Sequence, residues 1–301
     1  MKPAASIILF TTLAGAAQGM CVVAAGATLA GAAPGPAAAM LWTAVALLVA
    51  ALVASFFHLG HPQRAWRTVL MWRTSWMSRE VIVLPAFIAL VALWATMPAS
   101  RLLAALAILG AFALWYCTAM IYACIRFIQE WAHPLTAVNY VTLGLASGCI
   151  VAGAVSVLAG DVAFARAIAG WAIAALWLAW LTRTLSLRRN ARLVPRSTIQ
   201  SATGIQAARV VQTAMGMTGG SFNTREFFHG ATAHAIGNVK AGFQILAFAV
   251  PLVLLAWAAA TGASAAWLLA LVAHALGMLA ERWFFFAQAR HPQNLYYQAV
   301  S

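Results

Sequence analysis

Apolar runs long enough to cross a bilayer recur from one end of this chain to the other. A helix needs about 20 mostly apolar residues to span the hydrocarbon core. Eight such runs can be marked, near residues 6–31, 38–58, 79–97, 102–126, 136–159, 164–186, 242–261 and 264–287. In lipid, only helices and closed barrels satisfy every backbone N–H and C=O. The runs are too long and too uniformly apolar for barrel strands. They predict an all-α polytopic membrane protein, an eight-transmembrane-helix bundle forming one domain over residues 1–301. Charged residues make up only 8% of the chain, against about 25% in a soluble domain, so no separate soluble domain is expected. A signal peptide cut within the alanine-rich stretch Ala24 to Ala33 competes with a membrane helix for the first run.

Turn-forming residues separate the runs: Pro34-Gly35-Pro36, Pro98, Pro134, Gly160-Asp161 and Thr261-Gly262. Two connections are long, about 59–78 and about 187–241. Eight crossings put both of them, the 127–135 loop and both termini on one side. Sixteen of the eighteen Lys and Arg residues fall there; only Arg101 and Arg166 fall on the other side. Positive charge accumulates in the cytoplasm, which predicts cytoplasmic termini and a long cytoplasmic loop over 187–241 between helices six and seven. The net charge of +13 reads as topology and anionic headgroups or as docking of a soluble partner. Basic residues scattered through membrane-flanking loops do not make a nucleic-acid-binding module.

Polar residues in such a chain need reasons. Cys21, Cys117, Cys124 and Cys149 sit in apolar runs with no CxxC pair, which argues against a metal, cluster or disulfide site. Four of the five acidic residues lie beside or near an arginine: Arg79-Glu80, Arg126 with Glu130, Arg225-Glu226 and Glu281-Arg282. Arg126 and Glu130 have the i, i+4 spacing of one helix face. These pairs read either as fixing helix ends or as a proton-handling pocket at the interface. The densest polar stretch runs from His58 to Glu80. There Ser78 is expected to cap the third helix, Glu80 to open it at the favourable end of its dipole, and Trp66, Trp72 and Trp76 to form an interfacial belt or pack against a flat ring. A second cluster gathers Tyr122, Arg126, Glu130, His133, Arg225, Glu226, His229, Glu281 and Arg282. The apolar content of the long loop (Phe222, Phe227, Phe228) predicts that it lies on the membrane or a partner. Six histidines lie in or beside loops. Only His274 is central to a helix, where a hydrogen bond to a neighbouring helix is expected, so haem is not expected.

The run His58-Leu59-Gly60-His61-Pro62-Gln63-Arg64-Ala65, followed by Ser75-Trp76-Met77-Ser78-Arg79-Glu80 and closed by Gly277-Met278-Leu279-Ala280-Glu281-Arg282, resembles the membrane anchor subunits of dimethyl sulfoxide reductases. The similarity covers most of the chain. It implies a bacterial cytoplasmic membrane protein, itself not catalytic toward the enzyme's substrate. An iron–sulfur subunit would dock on its loops, with a molybdenum catalytic subunit beyond. It also implies exchange of electrons with a quinone, ubiquinone or menaquinone, without haem. The family's quinone-site histidine, arginine and carboxylate match His58, Arg64 and Glu80; Trp76, Ser78 and Arg79 complete the candidate site. Dimethyl sulfoxide reductase anchors turn this motif to the periplasm, whereas the charge count turns it to the cytoplasm. That orientation and the long loop with Asn223-Thr224-Arg225-Glu226 are similar instead to the anchor of cytoplasm-facing sulfite dehydrogenase, which would pass electrons from sulfite oxidation to quinone. A quinol-oxidising reductase anchor is the alternative within the family, and a transporter or passive scaffold the alternative outside it.

Overall fold

The computed structural model describes residues 1–32, 35–214 and 227–296. Eight helices long and apolar enough to cross a membrane are present among them: α1 Ala5–Leu29, α2 Ala37–Phe56, α3 Trp76–Thr96, α4 Arg101–Ala123, α5 Pro134–Leu158, α6 Val162–Ala191, α7 Ala233–Thr261 and α8 Ser264–Ala287. Helices α1 and α5 form the centre of the bundle. Helices α2, α3 and α4 pack on one side of this pair and α6, α7 and α8 on the other. The first run is therefore an integral part of the core.

The central pair is close because both helices carry small residues at a four-residue spacing, Gly15 and Gly19 on α1 and Gly144 and Gly148 on α5. A Cβ at Gly148 would overlap the Gly19 backbone, and one at Gly19 the Gly144 carbonyl. Apolar chains gain little by leaving lipid for each other, so close backbone approach of small residues is what drives such helices together. Gln18, the one strongly polar residue of α1, donates from Nε2 to the Ala111 carbonyl of α4 at 3.0 Å.

Helix α7 contains a π-turn over Ile245–Ala249, followed by Pro251. Proline has no N–H to give the carbonyl four residues earlier, that of Ala247. His274 of α8 serves it instead, with Nδ1 at 2.7 Å, and its Nε2 lies 2.8 Å from Ser147 Oγ of α5. His274, the histidine central to a helix, thus bonds to neighbouring helices, as its position predicts.

Several boundaries differ from the sequence expectation. Helix α3 starts at Trp76 and is capped by Ser75, whose Oγ accepts from the Ser78 amide at 3.3 Å; Ser78 is inside the helix and is not the cap. Helix α4 ends at Ala123, so Arg126 and Glu130 lie in turns, where i, i+4 spacing brings no shared face. Helix α7 starts at Ala233, capped by Thr232, and α6 runs to Ala191; the connection between them is 192–232 rather than 187–241. Polar side-chain caps set the starts of α3 and α7, where hydropathy alone sees a gradual change.

The α4–α5 turn, the end of α6, the end of α8 and Met1 share one face of the bundle. The Met1 amino group donates to the carbonyls of Ala287 and Ala289, Trp131 Nε1 to that of Phe285 at 3.1 Å, and Arg189 Nη1 to that of Gln129 at 3.0 Å. The polar motifs of the sequence lie at or just below this face.

Candidate functional site

The 57–75 connection carries 3₁₀ turns over Pro62–Met71 with no buried residue. His58, Arg64, Trp66 and Trp72 are exposed there. The connection closes on Arg79. Its Nε and Nη2 donate to the carbonyls of Trp72 and Arg73, both at 2.9 Å, and its guanidinium lies 4.1 Å from the centre of the Trp76 ring. Trp76 also makes a T-shaped contact with Tyr116, the ring centres 5.2 Å apart.

Glu80 goes the other way. Successive helical residues point about 100° apart, so Arg79 holds the loop while Glu80 turns into the bundle, where it is 8% exposed. It forms no ion pair with Arg79; it accepts a hydrogen bond from the Thr118 hydroxyl of α4. The buried Ser78 hydroxyl, two residues earlier, has no partner among the described residues. Trp76, Ser78, Arg79 and Glu80 are thus one local group. No hydrogen bond or ion pair joins His58 or Arg64 to it among the described residues. Beside His58, an apolar groove of about 420 Å³ runs between α1 and α2, lined by Ser6, Leu9, Ala50, Val53, Ala54 and Phe57.

The second cluster divides in two. Its inner part is an ion triad: Glu281 lies 2.7 Å from Arg183 Nε and 3.1 Å from Arg282 Nε, and all three side chains are at most 4% exposed. The Arg282 guanidinium sits 4.5 Å from the Tyr140 ring centre, and Tyr140 stacks at 6.0 Å on Tyr122. Tyr122 follows Thr118 by one turn of α4. A buried polar belt therefore crosses the bundle from Glu80 on α3 to Arg183 on α6. In the sequence Arg183 counts only as a topology charge. The signal that could have found it is its place inside an apolar run, where an ionisable residue marks function or a buried partner.

The outer part lies at the bundle face. Arg126 is exposed. Glu130 accepts from the Arg290 amide at 3.4 Å, and His133 caps α5 by accepting from the Leu135 amide at 3.1 Å. His229 Nδ1 accepts from the Ala231 amide at 3.0 Å. Phe227 stacks on His291 at 3.9 Å, which seats the end of the loop against the C-terminal segment. Burial pulls the Met1 amino group down to about 6, against the attraction of Glu130. Burial, reinforced by that amino group, lowers His229 and His291 as well; burial and then Arg189 lower His133. Arg225 and Glu226 lie outside the described residues.

Comparison with known proteins gives two findings. The pattern of the family described as DMSO reductase anchor subunit (DmsC) matches residues 1–286. The C subunit of the sulfite dehydrogenase of Allochromatium vinosum is 45% identical over an alignment of 326 positions that covers the whole of both chains.

Proposed function

The chain belongs to the DMSO reductase anchor subunit family, and from that premise we propose that it is the quinone-reactive membrane anchor of a sulfite-oxidising molybdenum enzyme. A membrane anchor of a molybdoenzyme complex is what the family provides, and the eight apolar helices are its multi-pass body. The name of the similar A. vinosum protein favours sulfite as the substrate of the catalytic partner. In this reading the partner oxidises sulfite and water to sulfate, releasing two electrons and two protons. The electrons pass through an iron–sulfur subunit seated on the basic face, which the positive-inside rule turns to the cytoplasm.

The observation that carries the quinone reading is Glu80: a buried carboxyl, bonded to a hydroxyl rather than a cation, beside an aromatic wall held by Arg79. The residues fit the group. Trp76 offers a flat face, the α1–α2 groove suits an isoprenoid tail, and Glu80 and His58 can give protons to carbonyl oxygens. Arg64, on the same connection, supplies positive charge to the reduced ring oxygen. Bound quinone supplies a two-electron, two-proton acceptor; the chain orients it and delivers protons.

Membranes carrying the whole complex with Glu80→Gln are expected to lose quinone-linked sulfite oxidation by about 10²-fold or more, while dye-linked oxidation by the catalytic subunit is unchanged. Retained quinone activity would sink the assignment. The reverse reading, a quinol-oxidising reductase anchor, is favoured by the family match itself. A C-terminal reporter active only in the periplasm would support that reading over the sulfite one.

A further inference from the structure

Beyond Glu80, hydroxyl groups continue into the bundle. Thr118 bonds the carboxyl. Tyr122 lies one turn further along α4, and Tyr140 of α5 stacks on it with the two planes 9° apart. The face of Tyr140 in turn carries the Arg282 guanidinium, 4.5 Å from the ring centre. Trp131, Phe285 and Phe286 enclose Tyr122 with ring contacts at 5.3 to 5.5 Å. This jacket keeps lipid off the polar groups.

Past Tyr140 the belt meets buried polar atoms that have no partner among the described residues: the Tyr140 hydroxyl itself, Asn139 Oδ1, Arg183 Nη2 and, just past the end of α8, Gln288 Nε2. Asn139 lies one turn before Thr142, which bonds Thr182 of α6 at 2.9 Å, so it faces the helix that carries Arg183. A buried polar group left without a hydrogen-bond partner is destabilising. Ordered water is the usual remedy, and these atoms mark a course from Tyr140 toward the bundle face at Gln288.

The geometry points to a proton relay, separate from the quinone site, that enters at the Gln288 face and runs through Tyr140, Tyr122 and Thr118 to Glu80. It rests on the quinone reading above. A quinone packed against Trp76 covers the loop side of Glu80, so the carboxyl must recover its proton from the opposite side. Each quinone reduced takes two electrons from the partner's iron–sulfur subunit and two protons. Each proton that leaves Glu80 is replaced through Thr118, Tyr122 and Tyr140, with ordered water bridging the hydroxyls that do not touch; each gives a proton forward and accepts one from behind, ending at water. No hydroxyl remains charged. The Arg183–Glu281–Arg282 triad is a positioning group that holds Tyr140 and orients the water beside it.

The test uses the intact complex in membranes with a short-chain ubiquinone. Tyr140→Phe and Tyr122→Phe keep the rings and remove the hydroxyls. With either, kcat for quinone is expected to fall by about one to two orders of magnitude, with KM and dye-linked turnover unchanged and the solvent deuterium isotope effect raised. Thr118→Ser is expected to retain activity and Thr118→Val to lose it. Unchanged kcat in both tyrosine variants, equal losses in the two Thr118 variants, or a raised KM with a flat isotope effect overturns the relay. The quinone reading fails on a different result, full quinone turnover in Glu80→Gln, and the relay falls with it.

Discussion

Two glutamates lie in the same buried layer of this bundle, and their surroundings differ sharply. Glu281 sits between two guanidiniums, Arg183 at 2.7 Å and Arg282 at 3.1 Å. Glu80 has an arginine as its immediate neighbour in sequence, yet its partner is the Thr118 hydroxyl. The first carboxylate answers charge with charge and fastens α6 to α8. The second has no counter-ion and a partner that both donates and accepts, which is what proton exchange requires. Burial of a carboxyl alone therefore says little about its work; the partner decides.

The largest effect expected from this contrast is on Glu281→Ala. It leaves two arginines buried without an anion, and breaking a buried pair costs about 3–5 kcal/mol. The variant should fail to accumulate in membranes or lose thermal stability in detergent, whereas Glu80→Gln should accumulate normally and lose quinone turnover. Equal accumulation of the two would erase the distinction. A smaller effect is expected at His274: Ser147→Ala leaves its buried Nε2 without a partner, a cost of about 1–3 kcal/mol, and should lower the detergent melting temperature with turnover intact. The smallest belongs to Asp161, whose carboxylate caps α6 through the Phe164 amide at 2.9 Å. Asp161→Ala should cost about 0.5–2 kcal/mol and leave quinone turnover unchanged, because this acid lies at the face of the bundle away from the belt.

The bundle itself was legible because the bilayer demands long apolar helices, and hydropathy reports them directly. Runs such as 38–58 and 264–287 return as Ala37–Phe56 and Ser264–Ala287. Ends were less legible. Ser75 and Thr232 fix the starts of α3 and α7 through side-chain caps, and a cap depends on one hydroxyl rather than on a trend over many residues. The local group Trp76 to Glu80 was visible as a motif. Adjacency suggests an Arg79–Glu80 ion pair that does not form, because neighbours along a helix diverge in direction.

The sequence by itself determined that this chain is a membrane bundle of eight helices with its charges crowded onto one face, since both follow from counting residues against the requirements of lipid. It also determined the family. Only the tertiary structure decided which polar groups meet. Thr118 reaches Glu80, Tyr122 meets Tyr140, and Arg183 meets Glu281 across the bundle, pairs separated by 18 to 98 positions in the chain. Such contacts depend on which helices become neighbours across the bundle, and no local stretch of sequence reports that.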